Sequence, residues 1–225
     1  MTQTADTFHA LTKARFSCRA FLPDPIDTAT ITDIVKTARH TPSWCNAQPW
    51  GLSITAGQGT ARFADALYTH AINGGTIEPD LDWPASYPDV YGERRRACGF
   101  QLYDALSIPK GDRAASTKQM MENFKLFGAP HVAIVHSPKA LGPYGAMDCG
   151  GFVTAFCLAA QARGVATIPQ AAIGSYAPFV KDWFGLGEDR ILLCGISFGL
   201  ADMDHPANSF RTQREDPSAL IDWKD

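Results

Sequence analysis

The stretch RFSCRAF (residues 15–21) lies between a short predicted helix and two prolines, and it has the pattern of an extended chain. In an extended chain alternate side chains share one face, so Arg15, Ser17 and Arg19 point one way and the residues between them point the other. Two guanidinium groups beside a hydroxyl suit a phosphate group. The alternative is a solvated edge strand with its apolar side inward, and both readings fit this segment taken alone.

Two later segments are also rich in polar groups. TPSWCNAQPW (residues 41–50) offers a hydroxyl, two amides and backbone donors in a proline-restrained loop, which can hydrogen-bond a polar ring edge without adding charge. Its alternative is a turn in which Asn46 bonds its own backbone. PANSFRTQR (residues 206–214) follows a predicted strand and would return Arg211 towards Arg15, unless it is an ordinary basic surface loop.

The order of predicted elements is typical of an α+β protein, because helices and strands alternate irregularly. Asp27 is expected to cap a helix whose apolar residues follow the spacing i, i+3, i+4, i+7. Asp6 or Thr7 is expected to cap a first helix that ends near Lys13. Further helices are predicted over residues 61–68, 90–106, 113–127, 147–163 and 175–184, and strands over residues 50–54, 132–135, 165–168 and 191–198.

Composition and the absence of certain motifs argue against several classes of protein. The chain has 225 residues and a net charge of −3, so no general basic field draws it to nucleic acid or to anionic membranes. No secretory signal pattern and no apolar run of membrane-spanning length is present, so a cytoplasmic location is expected. A Rossmann glycine motif and a P-loop motif are both missing.

The six cysteines have no zinc-site spacing, so we expect no metal site. Most of them stand among apolar neighbours, as Cys194 does after Ile191-Leu192-Leu193. Free buried thiols are therefore expected rather than a disulfide framework.

The ordered set of motifs resembles the nitroreductase family across nearly the whole chain. The motifs are Arg15-x-Ser17-x-Arg19-x-Phe21, Pro42-Ser43-x-x-Asn46-x-Gln48-Pro49-Trp50, Pro169-Gln170-Ala171-Ala172, and Gly199 with Asn208 and Arg211. The stretches YGERRR (residues 91–96) and NFKLFGAP (residues 123–130) resemble bacterial members that act on nitroaromatics such as nitrobenzoate.

The resemblance implies one domain over residues 1–225, built on a mostly antiparallel sheet wrapped by helices. It implies an intertwined homodimer with FMN at the interface, a mobile or substrate-covering insertion around residues 69–127 and a C-terminal arm around residues 200–225. It also implies FMN reduction by NAD(P)H and a second step to a small aromatic or quinone acceptor, with no catalytic side chain required.

The resemblance also assigns roles to particular residues. Arg15, Ser17, Arg19 and Arg211 would hold the phosphate and ribityl end of FMN. Ser43, Asn46 and Gln48 would face the flavin, and the loop from Pro42 to Asn46, which includes Trp44, would come from the partner subunit. Asn123 and Lys125 would lie near the pyrimidine side of the flavin. Pro169, Gln170, Ala171 and Ala172 would bring a backbone N–H near flavin N5.

Two departures from the family pattern bear on these roles. Some relatives have an acidic residue where this chain has Ala171, and some have a lysine where it has Ser209. We therefore expect phosphate binding to rest more on the three arginines.

Substrate contacts are expected from Trp44, Tyr91, Arg94 and Arg95. The alternative for the arginine run is a solvated helix face paired with Glu93 or Asp104, since successive helical residues point about 100° apart. A dehalogenase, a flavin-destroying enzyme and a non-enzymatic flavin-binding protein are the competing functions on the same scaffold.

Overall fold

The structure is a computed structural model, and it describes residues 2–224. Within that range the α-helices are α1 (Gln3–Ala14), α2 (Thr28–Ala38), α3 (Gln58–Ile72), α4 (Asp89–Ala105), α5 (Arg113–Met121), α6 (Gly142–Gln161) and α7 (Ala177–Phe184). The strands are β1 (Gly51–Ala56), β2 (His131–Pro138), β3 (Ala166–Gln170) and β4 (Arg190–Gly199). Short 3-10 helices occupy Trp44–Asn46, Glu122–Gly128, Lys139–Leu141, Ala171–Tyr176, Pro206–Asn208 and Pro217–Ala219.

The four strands form one sheet in the order β1-β2-β4-β3, and every neighbouring pair is antiparallel. The α+β expectation with an antiparallel sheet is therefore confirmed. The segment of residues 15–21 runs beside this sheet, because Ser17 makes a parallel bridge to Thr167 of β3 and Phe21 an antiparallel bridge to Ala201. Its predicted extended conformation is also observed, with Cys18 buried.

The sheet is covered on both faces, so β2 is buried along almost its whole length. Ala133 of β2 belongs to the core that α2 and α6 form on one face, and Ile134 to the core that α3 and α7 form on the other. Fully burying one such aliphatic or aromatic side chain contributes about 1.5–3 kcal/mol. The central sheet is therefore a rigid support for the loops at its ends.

Helix boundaries match the sequence pattern best where a cap is present. Asp27 caps α2 as expected, with its Oδ1 accepting from the backbone N of Thr30 at 2.8 Å. The first helix is capped by Thr2 rather than by Asp6 or Thr7, because it begins at Gln3.

The predicted helix over residues 113–127 is wrong in its second half. The α-helix ends at Met121, and the chain continues as a 3-10 segment in which Leu126 and Phe127 have φ of +57° and +54°. A left-handed backbone cannot continue an α-helix. Burial of both side chains in the core compensates for the local strain.

The helix predicted over residues 61–68 is longer in the structure, because α3 begins at Gln58 and extends to Ile72. The segment of residues 73–88 is fixed to the body at Asp80, whose carboxylate pairs with Lys181 Nζ at 2.9 Å and accepts from the backbone N of Leu192 at 2.7 Å. Helices α4 and α5 that follow have few buried residues and lie at the edge of the molecule. Among residues 2–224, no helix combines the length and the hydropathy needed to cross a bilayer.

All six cysteines are free thiols, as expected. Burial raises the pKa of Cys18 and of Cys149 to about 11, and that of Cys194 to about 12. Cys45 is the exception to the expected burial, because it lies exposed in the loop of residues 41–50.

Candidate functional site

A cavity of about 390 Å³ lies where the segment of residues 15–21 meets the chain after β4. We call it the arginine cavity. It is lined by Thr12, Lys13, Arg15, Phe16, Ser17, Arg19, Cys98, Phe210, Arg211, Thr212 and Arg214. Five of these side chains are cationic and none is a carboxylate, so an anion with several oxygens would find many donors here.

Asn208 joins the two chain segments that form this cavity. Its side chain is buried; Oδ1 accepts from the backbone N of Arg19 at 2.8 Å, and Nδ2 donates to the carbonyls of Ala20 and Asp202 at 2.9 and 2.7 Å. All hydrogen-bonding groups of a buried amide must be satisfied. Asn208 therefore fixes Arg19 relative to the segment that contains Arg211.

Arg211 is placed by an aromatic ring as well as by backbone carbonyls. Its guanidinium carbon lies 3.8 Å from the centroid of the Phe16 ring, a cation–π contact. Its Nη1 donates to the carbonyls of Asn208 and Phe210 at 2.8 and 2.7 Å. The structure thus brings the two predicted segments together and places Arg211 beside Arg15 and Arg19 in one cavity.

A second cavity, of about 300 Å³, adjoins the first through Ser17 and Arg19, which line both. We call it the amide cavity. Its other lining residues are Leu102, Tyr103, Gln119, Met120, Asn123, Phe127, Ile168, Pro169, Gln170, Ala171 and Ala172. Apart from Arg19 the lining is uncharged. The predicted residues Asn123 and Pro169 to Ala172 are therefore together, at the end of β3.

Backbone donors of the amide cavity come from the start of the 3-10 helix Ala171–Tyr176. The first N–H groups of a helix have no partner inside it. In the described part of the chain, neither the N–H of Ala171 nor that of Ala172 donates to another residue. These two donors remain for a ligand or water.

The side-chain amide of Gln170 is used inside the protein. Its Oε1 accepts from Ser197 Oγ at 2.5 Å, and its Nε2 donates to the backbone carbonyl of Asn123 at 2.8 Å. Gln170 contributes packing and backbone to the cavity, while its amide connects β4 to the segment after α5.

The loop of residues 42–48 lies apart from both cavities. Cys45, Asn46 and Gln48 have φ of +48°, +56° and +49°, a region that residues other than glycine seldom adopt. Ser43 Oγ stabilises this loop by accepting from the backbone N of Gln48 at 2.9 Å. The turn is therefore closed by Ser43 and not by Asn46.

The exposed tip of this loop carries Trp44, whose backbone N donates to Asp148 Oδ2 at 3.0 Å and whose ring lies 5.0 Å from that of Tyr144. Trp44 is 62% exposed, and Asn46 and Gln48 are exposed with it. Pro42 is exposed as well, so most of the predicted flavin-facing loop presents its polar groups to the outside of this chain.

Lys125 also lies outside the two cavities, unlike Asn123. Its Nζ pairs with Glu122 at 2.8 Å and lies 4.7 Å from the centroid of the Tyr68 ring. Hydrogen bonding to Glu122 raises the pKa of Lys125. Asn123 and Lys125 are two residues apart in a 3-10 segment, so their side chains point in different directions.

The predicted substrate residues of α4 lie at its first half, on the outer surface. Arg94 Nε pairs with Glu215 at 3.0 Å, and the guanidinium carbon of Arg94 lies 5.9 Å from the centroid of the Tyr91 ring. The guanidinium carbon of Arg95 lies 5.2 Å from the centroid of the Tyr87 ring. The partner of Arg94 is thus neither Glu93 nor Asp104. Glu215 belongs to the C-terminal segment, far along the chain, which helical spacing could not reveal.

Two residues of the site network, Phe16 and Ser197, were not assigned roles from the sequence. The pattern of residues 15–21 indicates only that Phe16 lies on the apolar side of an extended chain, and it does not predict a contact with Arg211. Ser197 lies in an apolar strand run, where a small polar residue gives no signal of its partner.

The family model described as "Nitroreductase family" matches residues 12–200. Among curated proteins, the chain is 33% identical over 215 residues to a 4-nitrobenzoate reductase of Pseudomonas putida, covering 96% of this chain and 94% of that protein. It is 36% identical over 214 residues to nitroreductase NfnB of Mycolicibacterium smegmatis, covering 93% and 89%.

Solved structures give the same result for the fold. The FMN-dependent nitroreductase NfnB from Mycobacterium smegmatis in complex with NADPH superposes with a TM-score of 0.94 at 32% identity, covering 99% of this chain and 100% of that one. With a family model over residues 12–200 and curated relatives above 30% identity over most of the chain, the chain belongs to the nitroreductase family.

Proposed function

We propose that this protein is an FMN-dependent oxidoreductase that passes electrons from NAD(P)H to a nitroaromatic or quinone acceptor. One observation carries the proposal: a cationic cavity without carboxylates adjoins a cavity in which Arg19 is the one charged residue, and Ser17 and Arg19 belong to both. The names of the relatives, an FMN-dependent nitroreductase and a 4-nitrobenzoate reductase, agree with it.

The residues present fit FMN at both of its ends. A phosphate dianion suits the arginine cavity, where Arg15, Arg19 and Arg211 supply charge-assisted donors and Ser17 a hydroxyl. A neutral ring with polar edges suits the amide cavity, which offers backbone N–H groups and Asn123 without a neighbouring carboxylate.

The chain's own residues bind and orient, and bound FMN supplies the two-electron chemistry between donor and acceptor. The three arginines hold the anionic end, and the backbone N–H groups of Ala171 and Ala172 provide donors for the ring nitrogen that exchanges hydride. A backbone donor suits that role, because it does not titrate. No general base among the side chains is required.

We further propose a homodimer in which the loop of residues 42–48 completes the partner's site. Pro42, Ser43, Trp44, Asn46 and Gln48 lie away from the cavities of their own chain, so a second copy has to bring them to a flavin. The exposed aromatic pair Trp44 and Tyr144, with Met147 beside it on α6, supports this proposal, since monomers seldom expose large apolar patches.

Subunit mixing tests the shared site. Arg211→Ala and Asn46→Ala protomers are each expected to form impaired homodimers, whereas a mixed dimer has one site with both changes and one with neither. Co-refolded mixtures should therefore regain NADPH-dependent activity that neither parent has. Mixtures that stay at the level of the parents, or a monomer by analytical ultracentrifugation, would contradict the dimer proposal.

The acceptor is proposed to meet Trp44, Tyr91, Arg94 or Arg95, with the segment of residues 69–127 acting as a cover. Exposed aromatic rings and guanidinium groups suit an aromatic acid. The Pseudomonas putida relative is named for 4-nitrobenzoate, which makes that compound the first acceptor to test. Lys125 would contact the flavin or the acceptor only if its ion pair with Glu122 breaks.

The proposed activity is tested by absorbance spectroscopy of the purified protein under anaerobic conditions. Flavin bands that bleach with NADPH or NADH and return with 4-nitrobenzoate would support the reductase. Flavin that stays oxidised with both donors would favour a binding protein. Bleaching without turnover of any nitroaromatic would favour a dehalogenase or a flavin-destroying enzyme, and no uptake of FMN would overturn the proposal.

A further inference from the structure

Ser197 is fully buried near the end of β4 and lines neither the arginine cavity nor the amide cavity. Its backbone is in register with Val132 of β2 on one side and with Ile168 of β3 on the other. A residue paired on both sides in a central strand is held rigidly. Its hydroxyl is therefore a fixed reference point inside the sheet.

This hydroxyl anchors one amide. Ser197 Oγ donates to Gln170 Oε1 at 2.5 Å, and Gln170 is only 2% exposed. The Nε2 of Gln170 points the other way and donates to the backbone carbonyl of Asn123 at 2.8 Å. The flipped amide would place Oε1 against that carbonyl oxygen, and two acceptors repel, so the Asn123 carbonyl selects the orientation and Ser197 donates to the oxygen on the opposite side.

The same amide therefore connects two walls of the amide cavity. Gln170 directly precedes Ala171, which carries one of the free backbone N–H donors, and Asn123 lies across the cavity on the segment after α5. The pairing of β3 with β4 is already made by the backbone, with Gln170 opposite Gly195. The Ser197 side chain is thus not needed to form the sheet, and its hydrogen bond acts on the cavity walls.

We propose that Ser197 is a positioning residue for the flavin chemistry. By anchoring Oε1 of the Gln170 amide, it holds that amide against the Asn123 carbonyl and sets the separation of Asn123 from the backbone donors at Ala171 and Ala172. This inference rests on the proposed FMN-dependent function. It assigns to Ser197 an effect on the geometry of the ring site and none on the phosphate site.

The first test compares Ser197→Ala with Ser137→Ala. Ser137 is a matched control, because it is also fully buried in a central strand and its Oγ has no hydrogen-bond partner in the described part of the chain. In cofactor-free protein, we expect Ser197→Ala to raise amide hydrogen exchange in peptides covering residues 119–126 and 166–176. Ser137→Ala should leave both peptides at the wild-type level.

The second measurement uses the FMN-loaded protein. Ser197→Ala should lower the rate of flavin reduction by NADPH about 10- to 100-fold, the usual effect of a small misplacement of reacting groups. The midpoint potential of the flavin should shift, while FMN affinity stays close to that of the wild type because the arginine cavity is unchanged. Ser137→Ala should match the wild type in all three quantities.

Gln170→Glu provides a test that does not remove the serine. A protonated carboxylic acid can accept from Ser197 and donate to the Asn123 carbonyl, as the amide does, but a carboxylate cannot donate. Burial raises the pKa of a carboxylic acid. The reduction rate of this variant should therefore rise as pH falls, with a titration that the wild type lacks.

Wild-type exchange, potential and reduction rate in Ser197→Ala would overturn the positioning role. If Ser197→Ala does not fold, the pH profile of Gln170→Glu decides, and a profile parallel to that of the wild type would overturn it. Wild-type protein that takes up FMN but is reduced by neither donor would overturn the proposed function instead. Hydrogen exchange in the cofactor-free protein tests the positioning role in that case.

Discussion

The central carbon of the Arg211 guanidinium lies 3.8 Å from the centroid of the Phe16 ring, although the two residues are far apart in the sequence. The ring holds the cation at the wall of the arginine cavity, and backbone carbonyls occupy one of its nitrogens. The remaining donors can face an anion. The position of this side chain therefore depends on packing as well as on charge.

Arg211→Ala is predicted to weaken FMN binding by roughly 1.5–3 kcal/mol, the range for a charge-assisted hydrogen bond. Riboflavin has no phosphate, so its affinity should hardly change. Fluorescence titration of the two flavins measures this difference, with Arg62→Ala on the exposed face of α3 as the control. An unchanged ratio of FMN to riboflavin affinity would refute the phosphate placement.

Asn208→Ala is predicted to lower the free energy of unfolding by about 2–4 kcal/mol, because it removes three hydrogen bonds and leaves two backbone groups without partners. Those groups are the N–H of Arg19 and the carbonyl of Asp202, whereas the carbonyl of Ala20 still accepts from the backbone N of Asp202. Urea denaturation measures the loss, and Asn73→Ala, at an exposed helix end, serves as the control. Equal stability of the two variants would mean that Asn208 does not join the segments as described.

Asp80→Ala is predicted to release the segment of residues 73–88 and to cost about 1–3 kcal/mol, because Lys181 loses its partner and the backbone N of Leu192 its acceptor. Limited proteolysis should cut this segment faster than in the wild type. Asp82→Ala removes a nearby exposed carboxylate and should not change the cleavage rate. Cleavage of Asp80→Ala at the wild-type rate would show that the segment is held by other contacts.

Stability is predicted to fall as pH decreases below about 6.5. Burial lowers the pKa of His131 and of His136 from 6.5, and for His136 the nearby charge of Arg190 adds to this effect. The unfolded chain therefore binds more protons than the folded protein once pH drops below 6.5. The stability that these neutral imidazoles contribute is complete above that pH, and it is lost as pH falls towards their folded pKa values.

The hydrogen bonds of His131 also favour its neutral form, in agreement with a lowered pKa. Its Nε2 accepts from the backbone N of Ile26 at 2.9 Å, which requires an unprotonated nitrogen. Urea unfolding between about pH 8 and about pH 5 measures the slope. His131→Gln should reduce it, whereas a variant at the exposed His9 should keep it. A slope independent of His131 would contradict the assignment.

The parts of the site that could be predicted were those with a local pattern. The alternation of Arg15, Ser17 and Arg19 correctly gave one polar face, and the Asp27 cap correctly gave the start of α2. The break of α5 could not be predicted, since buried Leu126 and Phe127 fit a helical pattern equally well and their positive φ is imposed by tertiary packing.

Contacts over long distances in sequence explain the remaining differences. Neither the pair of Arg94 with Glu215 nor the bond of Ser197 to Gln170 follows from spacing, since each joins separate elements. The role of Lys125 was implied by the family resemblance, which does not show that its side chain lies outside the cavity that contains Asn123. Local propensity places side chains on a face, but only the tertiary fold selects their partners.

The walls of the arginine cavity contain both Arg15 and Arg211, although nearly 200 residues lie between them along the chain. During synthesis the first wall leaves the ribosome long before Asn208 exists to bind it, and protein domains emerge from their N-terminal side. A nascent chain would therefore hold an incomplete cationic surface until the segment that contains Arg211 is made. The strands of the sheet all precede that segment, so an anionic cofactor would find its complete site only after every strand has been synthesised.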